Sequence, residues 1–119
     1  MNSLIEKIFA NFQVNGKDVP VSFLRYTGKS TTYITYQLTD MDNSFSGDDE
    51  LLGYVDYYDF DIYSKGNYLS IVKSVKNLMK QYGFMWQPSR SSGDLYEDDT
   101  GYFHKTLCFA KEREEINNG

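Results

Sequence analysis

The chain has one cysteine, one histidine and two prolines, and each scarcity closes off a class of function. Cys108 cannot form an internal disulfide, and it lies in an apolar run where a buried, unreactive thiol is expected. Zinc-type pairs of cysteine or histidine and glycine-rich phosphate loops are missing, so neither a metal nor a cofactor is expected. His104 and Cys108 share a face of one strand, but four residues of strand hold them about 13 Å apart. That is too far for a nucleophile pair or joint ligation. Asp94, Glu97, Asp98 and Asp99 lack the alternation and closing glutamate of a calcium loop and read as a solvated acidic turn. No apolar run approaches the roughly 18 residues of a membrane span. The first residues lack the basic-then-apolar layout of a secretory signal. The expectation is a cytosolic chain, without membrane contact and without catalytic apparatus.

What is present points to sheet and to protein contacts. The 119 residues are enough for one domain, with 40% hydrophobic and 17% aromatic content. Eleven of the aromatics are tyrosines, a residue that suits strand faces and half-wet interfaces. The net charge of -5 is unevenly spread. No Lys or Arg occurs from Ser30 to Ser64, whereas Asp40, Asp42, Asp48, Asp49, Glu50, Asp56, Asp59 and Asp61 all lie there. Such a chain is not attracted to phosphates.

Periodicity places the elements. Leu4, Ile5, Ile8, Phe9 and Phe12 predict a short helix behind Ser3, with Glu6 completing a capping box. Val19 to Tyr26 reads as a strand. Thr31 to Thr39 alternates, with Tyr33, Thr35 and Gln37 on one face and Ile34, Tyr36 and Leu38 on the other. Met41 to Glu50 is polar and acidic and reads as a loop. Leu52 to Tyr63 is a half-buried strand, with Tyr58, Phe60 and Ile62 facing one way and Tyr57, Asp59, Asp61 and Tyr63 the other. Tyr68, Ile71, Val72, Val75, Leu78, Met79 and Tyr82 form one helical face, closed by Gly83. Phe84 to Gln87 and Tyr102 to Lys111 complete the strands. The expected architecture is α+β in the order α-β-β-β-α-β-β: a mainly antiparallel sheet of four to five strands with two helices on one face. Residues 1–111 form the domain and 112–119 a frayed polar tail. Lys73, Lys76 and Lys80 share the outward face of the second helix and make it positive. A negative and a positive patch on one small domain suit a head-to-tail interface, which closes into a ring when the rotation allows.

Read in series, these segments resemble the tail-terminator, or tail-completion, proteins of long-tailed bacteriophages and prophages of Gram-positive hosts. The resemblance spans most of the chain. It rests on the opening helix, the Tyr33-Ile34-Thr35-Tyr36 strand, and the run Phe60-Asp61-Ile62-Tyr63-Ser64-Lys65-Gly66 leading into a helix that ends at Gly83-Phe84. The stretch Asp98-Asp99-Thr100-Gly101-Tyr102-Phe103-His104-Lys105 before the last strand completes it. Members often carry a proline just before the Tyr-Ile strand, where this chain has Thr32. The resemblance implies a structural, non-enzymatic protein of the virion tail, assembled in the host cytoplasm. It implies a ring, typically of six subunits, that caps the tail tube and joins it to the head. Its expected partners are further copies of itself, the tail tube protein and a head-completion or connector protein. It implies further that DNA passes through without specific binding. On this reading Asp40, Asp42, Asp48, Asp49 and Glu50 line the channel or reach the tube protein, and Lys73, Lys76 and Lys80 meet a neighbouring subunit or partner. Two alternatives stay open: another component of the head-tail connector, and an acidic DNA mimic that occupies a host nuclease. A small hydrolase is a third and weaker class.

Overall fold

The computed structural model describes residues 2–45 and 51–114. At the amino end the helical spacing of apolar residues produces α1, Asn2–Ile8. Ser3 lies inside this helix rather than capping it, and the helix stops short of Phe12, because the chain turns at Asn11 with φ 57°. Asn15 and Gly16 both take positive φ. With φ values of 54° and 77°, the pair forms the tight turn of a small hairpin between β1, Gln13–Val14, and β2, Lys17–Asp18.

The expected strand from Val19 to Tyr26 is reduced to β3, Val21–Phe23. Leu24 ends it at φ 67°, in a three-residue turn where the Arg25 N–H donates to the Phe23 carbonyl at 2.8 Å. β3 runs parallel to β4, Thr32–Phe45, and pairs Val21 with Ile34 and Phe23 with Tyr36. Parallel neighbours ordinarily need a crossover of about a dozen residues. Here β3 is so short that the chain need travel back only about 10 Å, a distance residues 24–31 can cover. Tyr26 folds over this return, and its hydroxyl accepts the Ser30 N–H at 2.9 Å.

β4 pairs antiparallel with β5, Leu51–Ser64, from Thr32 opposite Ser64 to Phe45 opposite Leu51, with a bulge near Thr39. This corrects the expected loop from Met41 to Glu50. Met41 to Phe45 continue the strand, because backbone pairing with β5 satisfies their polar main chain whatever their side chains prefer. Asp48, Asp49 and Glu50 lie outside the described residues. α2, Leu69–Gln81, begins where Asn67 Oδ1 accepts the Leu69 N–H at 3.0 Å. It ends as expected at Gly83, φ 83°, with Gly83 N–H donating to the Lys80 carbonyl and Phe84 N–H to that of Met79. Then follow β6, Met85–Trp86; a short 3-10 turn, Pro88–Arg90; β7, Leu95–Glu97; and β8, Tyr102–Glu114. The acidic turn is the tip of a β7–β8 hairpin, and the strand runs on through Glu112 to Glu114, where a frayed tail was expected.

The large sheet has the order β3-β4-β5-β8-β6, with β7 also paired to β8. Among the described residues it is therefore six-stranded and mixed, antiparallel except at β3, against the four to five strands expected; the α+β class and the two helices stand. Both helices pack on one face: Ile5, Ile8 and Phe9 from α1 and Ile71, Val72, Val75 and Met79 from α2 meet Ile34, Tyr36, Tyr58, Phe60, Ile62, Leu107 and Phe109 of the sheet. On β4 this core stops at Tyr36. Leu38 and Met41, further along the same face, are 46% and 47% exposed. The β4–β5–β8 end of the sheet thus projects beyond the helices, and the molecule is drawn out to 51 × 27 × 23 Å.

Gly28 tests the return loop, because a Cβ there would collide with the Tyr26 ring. Gly28→Ala should cost about 1–3 kcal/mol in urea melts. An unchanged midpoint would mean that Tyr26 is not held in place.

Candidate functional site

Strand alternation sends one set of side chains into the helix-covered core and the other to the open face, and the two sets carry different chemistry. On the open face, neighbouring strands bring Tyr33 opposite Tyr63 and Tyr63 opposite His104. Tyr26 stacks on Tyr33 at 4.6 Å between centroids, Tyr33 on Tyr63 at 5.0 Å, and Tyr63 on His104 at 4.3 Å. Tyr102 meets Tyr33 and Tyr63 edge-on. This four-ring ladder accounts for several tyrosines by cross-strand packing, and burial raises the pKa of both Tyr33 and Tyr63.

Beside the ladder, Asp61 Oδ1 accepts a hydrogen bond from His104 Nε2 at 3.1 Å and another from Thr106 Oγ1 at 2.5 Å. Both donors converge on one carboxylate. A hydroxyl nucleophile would instead need the imidazole against its own oxygen, so this cluster fastens β5 to β8 rather than activating Thr106. One step along, Asp59 faces Cys108. Burial first, then the neighbouring Asp61, raises the Asp59 carboxyl pKa, partly offset by a hydrogen bond with Cys108. Burial and the Asp59 charge push the Cys108 thiol up to about 11. His104 and Cys108 are thus each engaged by a different aspartate, on the shared face expected of them. Among the described residues no group of three His, Cys, Asp or Glu side chains is placed to hold a metal ion.

The acidic residues do not form one uniform strip. Asp40 lies on the open face of β4, where the Met41 N–H donates to it at 2.8 Å and Arg90 Nη1 at 3.1 Å; these bonds hold its carboxyl below the ordinary range. Arg90 also covers the Tyr57 ring at 3.8 Å. Asp42 is exposed on the same face. Asp56 points the other way. It is 3% exposed on the helix side of the projecting end, where Arg113 Nε donates to it at 2.9 Å. Arg90 and Arg113 lie outside the Lys- and Arg-free stretch of sequence, and only the strand register shows that they reach into it.

The three lysines occupy the opposite side of the molecule, on the helix layer. Lys73 and Lys80 are exposed, and Lys76 Nζ sits 3.5 Å above the Trp86 ring. Burial, with a smaller effect from nearby Lys105, lowers the Lys76 pKa. Lys76, Asn77, Lys80, Phe84, Met85 and Trp86 line a groove of about 350 Å³ between α2 and β6. Met85 and Trp86 are 55% and 40% exposed there. The sequence reading had the lysines and a strand from Phe84 to Gln87, but not their meeting, because the contact of Lys76 with Trp86 is made between two elements. No protein-family model matches the chain, and no curated protein matches it.

Two outcomes follow from the open face. The Asp59 carboxyl binds its proton more tightly folded than unfolded, so the resulting loss of stability is present above its raised pKa and disappears as pH falls below the ordinary carboxylate range. Asp59→Asn should therefore raise Tm at pH 7, with the gain shrinking in acid; a gain constant with pH would contradict this origin. Cys108 should resist thiol reagents in the native state, its thiolate fraction cut about 100-fold by a pKa two units above the ordinary value. Equal labelling rates with and without urea would show that the thiol is open.

Proposed function

We propose that this chain is a structural protein of a long-tailed bacteriophage, forming a ring that caps the tail tube and joins the tail to the head. The observation that carries this reading is a lysine-bearing helix layer set opposite a sheet face with four aspartates, one of them bound to Arg90. Lys73, Lys76 and Lys80 lie on the helix layer, while Asp40, Asp42, Asp59 and Asp61 lie on the open face. A ring built from such subunits can turn its open faces to the bore, where carboxylates keep phosphate from adhering, and leave its lysines for a neighbour or the next tail component. The projecting end of the β4–β5 hairpin then reaches along the axis towards the tube protein. The likeness of segments noted in the sequence supports the same reading.

The DNA-mimic alternative is less well supported. A mimic needs its carboxylates spaced along one surface, whereas here Asp56 is turned to the helix side and bound by Arg113, away from Asp40, Asp42, Asp59 and Asp61 on the open face.

Reversing Lys73, Lys76 and Lys80 together to glutamate should abolish capping of purified tail tubes, seen by electron microscopy as tubes of unregulated length, while the far-ultraviolet circular dichroism stays that of wild type. Capping that survives the triple reversal would remove the lysines from the interface.

A further inference from the structure

Where β4 begins and β5 ends, the open face is hollowed into a bowl of about 340 Å³ with Tyr33 and Tyr63 in its floor. The turn that ends β3 forms one wall and contributes Leu24 and Arg25. The β7–β8 hairpin forms the other, across β4 and β5, and contributes Glu97 and Tyr102. The bowl lies at the strand end opposite the projecting hairpin, and every group that lines it comes from one copy of the chain.

The tyrosine ladder limits what the bowl can hold. Tyr33 is stacked against both Tyr26 and Tyr63, and Tyr63 against His104 as well, so the floor offers ring edges and hydroxyls rather than open ring faces. A nucleic-acid base needs a free face on which to stack and finds none at these two residues. Burial is the first cause of the raised pKa of Tyr33 and of Tyr63, and the Glu97 charge is a further cause in both, so its carboxylate lies near both side chains.

Charge narrows the occupant further. Among the described residues, neither Arg25 nor Glu97 takes part in an ion pair or a side-chain hydrogen bond. An anion in the bowl would meet Glu97, and a cation would meet Arg25 and also Lys65, whose Nζ lies 5.1 Å from the centre of the Tyr102 ring. A neutral molecule rich in hydroxyls can use both walls. Each of its hydroxyls donates to a carboxylate or accepts from a guanidinium, and the tyrosine hydroxyls serve in either sense. Leu24, 58% exposed, adds apolar surface for the C–H groups of such a molecule. It is held at φ 67° in a turn that a leucine adopts only under strain, and strain of this kind gathers at ligand sites.

We infer that the bowl is a carbohydrate site that takes one or two neutral sugar residues, with Glu97 and Arg25 holding their hydroxyls from opposite walls. The site does not rest on the ring reading, because a single copy completes it.

The test titrates maltose, cellobiose, lactose and diacetylchitobiose separately into the isotope-labelled full chain and follows its amide resonances by NMR. At least one sugar should move the amides of Tyr33, Tyr63, Glu97 and Tyr102 saturably, with a millimolar Kd. Glu97→Gln and Arg25→Gln should each weaken that binding about tenfold through the loss of one charge-assisted contact. Both side chains are exposed, so the rest of each variant's spectrum should match wild type. A panel in which no sugar moves these amides overturns the inference, and so does binding that both variants leave unchanged. Inorganic phosphate or choline that saturates the same amides when no sugar does overturns it as well and makes the bowl an ion site. Each of these results leaves the ring reading standing, since binding is read on the single chain.

Discussion

The pairing of β4 with β5 outlasts the helices laid across it, and the rest of the structure follows from that mismatch. Fourteen residues on each strand run to about 46 Å. α2 has thirteen residues, about 20 Å, and α1 only seven. The helices can therefore dry only one half of the sheet. Where they cover it, Ile34, Phe60, Ile62, Leu107 and Val75 are almost wholly buried. Beyond them the sheet must hold itself together. It does so through Arg113, which grips Asp56 and lies over the Tyr54 ring at 4.5 Å, and through Arg90, which joins Asp40 to Tyr57. These are charge-assisted contacts in a region too thin for a second apolar layer.

The same geometry sorts the charges. A two-residue period sends Asp59 and Asp61 away from the core and Asp56 towards it, so carboxylates adjacent in sequence end on opposite sides of the sheet. The lysines of α2 escape this sorting, because a helix lying on a sheet must turn its polar face outward. The molecule has a carboxylate-bearing open face and a lysine-bearing helix layer, and the tyrosine ladder stiffens the first of these. On the proposed reading, that difference between faces allows identical subunits to surround DNA without holding it.

Much of this could be read from the residues, and the failures have physical causes. The alternation from Tyr57 to Tyr63 and the apolar stripe from Ile71 to Met79 identified β5 and α2 with their correct buried faces, because burial on one side imposes a period. Gly83 marked the end of α2 because only a residue tolerant of positive φ closes a helix in that way. The continuation of β4 through Asp40-Met41-Asp42-Asn43 was not legible. Its side chains suit a loop, and pairing with β5 overrides that preference. β1, β2 and β7 are each two or three residues long and leave no period to find, whereas β6 falls inside the strand read from Phe84 to Gln87. The Asn15-Gly16 pair carries a hairpin signal, but strands of two residues on either side show no alternation to support it. Of the candidate site, the lysines and their common face were legible, whereas the arginines that bind the aspartates and the apolar floor beside Trp86 depend on contacts distant in sequence.

The central claim is the proposed ring, in which copies of this chain meet through unlike surfaces. Native mass spectrometry over a concentration series tests it most directly, because self-complementary surfaces stop at a dimer whereas unlike ones continue until they close. On the proposed reading the series ends at one closed stoichiometry larger than two. A series that ends at two copies would contradict it.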